Sequence, residues 1–204
     1  YTDGTVQTVV SDGSWLWSSD GAIRFADNKD GERVNANMTP SYSGHAKETK
    51  FKVVPSASNN FLIAEKERFK PKLSVTPSGK KLLDFGQNIA GYVEFEINAR
   101  EGQKITLEFG ELLRDGELTL ENIQCRNKHK TTPLQRVEYI CKEGVNRYKT
   151  KFAIFGFQYI SVETDVTVRP EDFTAIAVYS DMDETGYFNS SNELLNKFVE
   201  ATKW

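Results

Sequence analysis

At 204 residues the chain has room for one large β domain, or for one complete domain and part of another, each with a buried core. Its 26 basic and 29 acidic residues nearly cancel to a net charge of −3, and the basic ones are scattered rather than gathered on a stripe, so nucleic acid is not an expected partner. No apolar run approaches the ~20 residues of a membrane span, so no membrane partner is expected either, while an aromatic content of 12% suits sheets and surfaces that stack on flat sugar faces.

The chain opens at Tyr1 with neither a start methionine nor a charged-then-apolar leader, the pattern expected of an excised segment. Residues 5–10 read as a short strand, 15–17 as another across the Ser11-Asp12-Gly13-Ser14 turn, and 22–25 as a third. Next comes Asp27-Asn28-Lys29-Asp30-Gly31-Glu32. Its oxygen-bearing Asp27, Asn28, Asp30 and Glu32 are open to three readings: a hard cation such as calcium, a sugar, or plain solvation. The helix-loop-helix calcium template fails here. Ala26 stands where the first acidic ligand belongs and Asn37 where the closing glutamate belongs, so no metal ligand is assigned. Residues 38–60, rich in Ser, Thr, Pro, Lys and Asn, read as a long surface loop and domain junction in which only 51–54 is strand-like. His45 in that loop is expected to be solvent-exposed. An apolar patch at 61–64 then hands over to an exposed charged strand at 65–68.

After Pro71 the rhythm becomes regular. Residues 72–76, 80–85, 91–97, 104–113, 136–141, 148–154, 158–163 and 173–179 read as short strands. Turn signals such as Pro77-Ser78-Gly79, Arg100-Glu101-Gly102 and Arg114-Asp115-Gly116 separate them. This pattern predicts an all-β, antiparallel, jelly-roll-like β-sandwich. Between the second and third of these strands, Asp84-Phe85-Gly86-Gln87-Asn88 forms a polar corner bracketed by Gly86 and Gly91, either a sugar-contacting loop or a hydrogen-bonded turn. The long gap at 119–133, which carries Asn122, Gln124, Arg126, Asn127, Lys128 and His129, reads as an irregular loop of the kind that often bears function. Cys125 and Cys141 permit either a small disulfide-closed loop or two thiols. Ser190 and Glu193 form a capping box ahead of Leu194, Leu195, Phe198, Val199 and Thr202, which share one helical face. That helix runs into Trp204 still amphipathic, so its stripe is expected to face further protein.

Several anchors in sequence carry a family resemblance: Asp84-Phe85-Gly86-Gln87-Asn88-Ile89-Ala90-Gly91; Gly110-Glu111-Leu112-Leu113 with Asp115-Gly116 and Glu121-Asn122; Phe155-Gly156-Phe157-Gln158-Tyr159; and Ser180-Asp181 leading to Gly186-Tyr187-Phe188. In order and spacing they resemble the bacterial α-L-rhamnosidases. The resemblance implies three parts: residues 1–66 as the latter part of an amino-terminal β-sandwich domain, 67–188 as the concanavalin-like β-sandwich domain, and 189–204 as a linker helix. It also implies inverting hydrolysis by two acids on an (α/α)6 barrel beyond that helix, so no catalytic residue is assigned here. The expected partners are that barrel and a rhamnose-containing glycan, and the expected compartment is the periplasm or beyond. No cofactor is implied, with calcium open as a ligand of the 27–32 loop. Where the family usually carries histidine and arginine this chain has Phe155 and Gln158, and where it carries an acid and an arginine this chain has Asn35 and Asn37. Those replacements remove charge-assisted contacts and point to a divergent member.

Three functions follow: a non-catalytic scaffold, a carbohydrate-binding module using Trp15, Trp17, Asp27, Asn28, Asp30 and Glu32, or a complete small glycosidase. The last would need paired acids such as Glu108 and Glu111, which differ by three positions on one strand and so face opposite ways.

Overall fold

The computed structural model describes residues 1–204 except positions 51, 52, 55, 59, 60, 127, 128, 203 and 204. In chain order the strands are β1 (Leu16–Trp17), β2 (Ile23–Asp27), β3 (Gly31–Asn35), β4 (Gly44–His45), β5 (Ile63–Phe69), β6 (Lys72–Val75), β7 (Lys81–Ala99) and β8 (Lys104–Gly110). They continue as β9 (Leu112–Arg114), β10 (Glu117–Thr119), β11 (Cys125–Arg126), β12 (Thr131–Thr132), β13 (Arg136–Ile140), β14 (Gly144–Lys149), β15 (Phe155–Thr164) and β16 (Phe173–Ser180). One α-helix, α1 (Glu193–Ala201), follows.

β7 organises the sandwich. The two strands expected at 80–85 and 91–97 are one strand of 19 residues that bends at the Gly86 corner and serves both layers. Its first part pairs with β6 and β15, and its last part with β14 and β16. Gly86 sits at φ +75, a backbone angle favourable only to glycine among ordinary residues, and the Asp84 carboxylate accepts the Gly86 N–H at 2.8 Å. The corner is therefore a bend within a strand and not a break between strands. One layer runs β2, β3, β13, β8, β15 to β7, and the other continues through β7, β16 and β5. Gly91 lies where the layers part. A Cβ there would stand 2.0 Å from the Ile176 carbonyl oxygen, so β16 approaches closely only because the residue is glycine.

The alternating apolar residues of each layer meet face to face. Phe95 on β7 packs edge-on against Tyr139 on β13, a strand it does not pair with, at 5.2 Å between ring centroids. Phe109 stacks on Phe155 at 4.3 Å and meets Phe157 edge-on at 5.0 Å. Fully burying each such ring stabilises the fold by roughly 1.5–3 kcal/mol. Phe155 is thus a core residue.

Residues ahead of 66 join the same sheet. β3 pairs with β13 in parallel register, Gly31 beside Arg136 through Asn35 beside Ile140, while the other pairings among the described residues are antiparallel. A Cβ on Gly31 would fall 1.8 Å from the Arg136 carbonyl oxygen, so this junction needs glycine.

Several local expectations are corrected. Residues 5–10 form no strand, and their valines are exposed because no neighbouring strand covers them. The strand expected at 148–154 ends at Lys149, because the next amides turn away to a buried carboxylate described below. The gap at 119–133 contains a short antiparallel pair, β11 with β12; Asn127 and Lys128 lie outside the described residues. Of the strand-like 51–54, Phe51 and Lys52 also lie outside them, and Val53 and Val54 are exposed and in no strand. Asp115 and Gly116, both at positive φ, close the tight β9–β10 hairpin. The helix is capped by Asn192, whose side chain accepts the Leu194 N–H, and Ser190 instead accepts the Asn192 N–H. Cys125 is an exposed free thiol and Cys141 a buried one.

Candidate functional site

The 27–32 segment is not one cluster of free oxygens. Asp27 accepts the backbone N–H groups of Asp30 and Lys29, both at 2.8 Å, closing a turn on itself, and those two bonds hold its carboxyl below the usual range. Asn28 is exposed. The Asp30 carboxylate points toward the β12 region. It accepts the Thr132 hydroxyl at 2.6 Å and the Leu134 N–H at 3.1 Å and pairs with Lys130 at 3.3 Å; the Thr132 bond is the main cause of its lowered pKa.

Glu32 departs most from the expected solvent-facing role. It is 1% exposed, and three successive amides converge on its Oε1: Lys151 at 2.9 Å, Phe152 at 2.6 Å and Ala153 at 3.0 Å. The Tyr148 hydroxyl donates to Oε2, and burial followed by this bond pushes the Tyr148 pKa upward. A carboxylate held by four donors inside the protein is a structural stitch and is not available to a sugar or an ion. Among the described residues, no group of three or more His, Cys, Asp or Glu side chains is placed to hold a metal ion.

Trp15 and Trp17 remain open, at 50% and 57% exposure. The short β1–β4 ladder pairs Trp17 with Gly44, and the Trp17 ring lies across that glycine, where a Cβ would stand 2.4 Å from it. His45 is exposed, as its position predicted, with Nδ1 3.3 Å from the Gly13 carbonyl oxygen. No hydrogen bond or ion pair among the described residues links the tryptophans to the 27–32 turn, so the six residues singled out from sequence fall into separate surroundings.

Two clefts deserve comparison. An open groove of about 690 Å³ on the outer face of β7 and β14 is lined by charges that are already paired: Arg147 with Glu96 at 2.6 Å, Arg169 with Asp172 at 2.8 Å, and Lys149 with Glu65, outside the groove, at 2.5 Å. A second cleft, of about 550 Å³, lies between the Gly86 corner and the end of α1. Gln87, Asn88, Ala90, Glu111 and Gly156 line it. Gln158 stands behind the corner at the bulge of β15, donating to Asp84 at 3.0 Å and to the Tyr159 hydroxyl at 3.0 Å. A neutral amide thus makes one bond to the corner's carboxylate. The corner was legible in sequence, but Glu111 and Gly156 as its neighbours were not, because strand pairing alone brings them there.

A long strand shared by two layers, a polar corner and a helix with an exposed apolar face define this β-sandwich. Residues 74–179 match the family described as bacterial alpha-L-rhamnosidase concanavalin-like domain. Over its whole length the chain is 30% identical to an alpha-L-rhamnosidase of Alteromonas sp. and 32% identical to one of Formosa agariphila, and it spans 23% of each. The crystal structure of native α-L-rhamnosidase from Aspergillus terreus superposes on the whole chain with a TM-score of 0.80 at 28% identity, using 24% of that structure. The chain belongs to the bacterial α-L-rhamnosidase family.

Proposed function

We propose that this chain is the non-catalytic β-sandwich segment of an α-L-rhamnosidase. In this reading a helical barrel elsewhere in the same polypeptide hydrolyses terminal α-L-rhamnose from glycosides or polysaccharides. In this reading residues 67–188 are the concanavalin-like unit, 1–66 come from the end of a preceding sandwich domain and add β2, β3 and the start of β5 to its sheet, and 189–204 are the linker toward the barrel. The polypeptide works in the periplasm or outside the cell, where its glycan substrate is met.

The observation that carries the reading is the disposition of Glu108, on β8, and Glu111, just past its end. Glycoside hydrolysis needs two carboxyl groups flanking one bond, about 5–10 Å apart. Glu108 is spent on Arg136 at 2.8 Å, whereas Glu111 leans to Asn122 at 2.9 Å. They serve different neighbours. The exposed Leu194, Leu195 and Phe198 of α1 support contact with further protein. Release of the aglycone from an aryl α-L-rhamnoside tests this: the full-length polypeptide should be active and this chain alone inactive. Hydrolysis by the chain alone overturns the scaffold reading.

A second reading, carbohydrate binding, is favoured by the exposure of Trp17 on one short ladder and of Trp15 just ahead of it. Their fluorescence should change on titration with L-rhamnose and lose that response in Trp15→Ala. Repeating the titration with calcium, and with Asp30→Ala, tests whether the neighbouring turn takes part.

A further inference from the structure

We infer that the cleft between the Gly86 corner and the end of α1 is a subsite for a neutral pyranose, separate from the tryptophan surface. Its volume of about 550 Å³ lies within the ~300–1,000 Å³ typical of small-molecule sites. The polar groups are of the kinds a polyol uses. Glu111 is half-buried, and its Oε2 is fixed by the Asn122 carboxamide at 2.9 Å. Its Oε1 lies over Gly156, where a Cβ would stand only 2.9 Å away. Glycine at that point leaves the carboxylate oxygen in place and the backbone beneath it bare. A carboxylate so held accepts hydrogen bonds from vicinal hydroxyls, the strongest contact a neutral sugar makes.

The opposite wall supplies amides. Gln87 donates through Nε2 to the Asn88 carbonyl oxygen at 3.0 Å, which orients its side chain and leaves Oε1 without a partner among the described residues. The Asn88 carboxamide has no partner among them at all and is exposed to the cleft. Each offers both donor and acceptor atoms, as a ring of hydroxyls requires. Ile89, Ala90, Gly156 and Ala201 add apolar lining, and Glu200 of α1 adds a second carboxylate. A 6-deoxy sugar carries both halves of such a surface, hydroxyls on one side and a methyl group on the other. The acidic lining disfavours phosphate, sulfate or uronate groups, since Glu111 would repel them. The choice of L-rhamnose as the first ligand rests on the rhamnosidase reading, whereas the subsite itself rests on the geometry.

Isotope-labelled protein titrated with L-rhamnose tests the inference by NMR. The Gln87 and Asn88 side-chain amides and the Gly156 backbone amide should shift together and saturate in the millimolar range. Asn88→Ala and Glu111→Gln should each weaken binding about tenfold, the loss of one hydrogen bond, charge-assisted in the second case, and Glu108→Gln should leave it unchanged. Asn88 is exposed, so its variant reads binding without disturbing the core. Shifts at the same amides with another neutral pyranose but not with L-rhamnose uphold the subsite and remove the rhamnoside reading. No shift at these amides up to roughly 100 mM of either sugar, or shifts confined to the indoles, overturns the subsite and leaves the family assignment standing.

Discussion

The residues before position 66 and those after it are built on different terms. In the later part, aromatic and branched side chains from both layers interlock, with Phe109, Phe155, Phe157 and Phe173 essentially inaccessible. In the earlier part the buried residues among those described are Gly31, Glu32 and Val34, all on β3. The later part therefore holds itself together by apolar burial, whereas the earlier part is held to it mainly by strand ladders, β3 on β13 and the start of β5 on β16, with a glycine contact, one buried carboxylate and Val34 in the shared core. Strand content is similar to the eye of a sequence reader in both. What differs is whether a second apolar face is present to cover the first.

That contrast makes unequal demands on single residues. The largest effect is expected from Phe109→Ala, which opens a cavity where three rings meet and should lower stability by about 3–5 kcal/mol in urea unfolding, with the whole sandwich melting earlier. Glu32→Ala should be next, at about 3 kcal/mol, because it strands the Tyr148 hydroxyl and three amides without an acceptor. Its signature should be local: hydrogen exchange at Lys151, Phe152 and Ala153 should rise well before exchange at β8 or β15. Uniform exchange across the chain would mean that the two parts unfold as one and would erase the contrast.

A smaller effect should come from alkali. Burial pushes the Cys141 thiol from 9.0 up to about 11, and burial followed by the bond to Glu65 pushes Tyr92 from 10.0 up to about 12. The folded state keeps both groups neutral, so their contribution is complete below the unfolded values. It is lost as pH rises from 9.0 through 11 for Cys141 and from 10.0 through 12 for Tyr92. Urea midpoints should be flat below pH 9.0 and fall above it, and Cys141→Ala should remove the earlier part of that fall. The smallest effect belongs to Arg147→Ala. Its bidentate pair with Glu96 lies on the exposed face of the sandwich, where solvent screens both charges, so the urea midpoint should barely move.

Much of the sandwich was written in local pattern. Period-two alternation in Tyr92-Val93-Glu94-Phe95-Glu96-Ile97 marks a strand with one covered face, and the Asp115-Gly116 pair marks the β9–β10 turn, because both signals depend on residues within a few positions of one another. The order of anchors from Asp84 to Phe188 was enough to indicate the family. Tertiary structure alone decided the rest. Glu32 sits in a polar stretch and reads as solvated, yet its partners Lys151 to Ala153 lie some 119 residues on, and only the parallel pairing of β3 with β13 brings them together. The same holds for Glu111 over Gly156, for the end of the strand at Lys149, and for Phe155 in the core. A carboxylate's neighbours set whether it is a ligand or a stitch, and neighbours far apart in the chain are chosen by how the layers close.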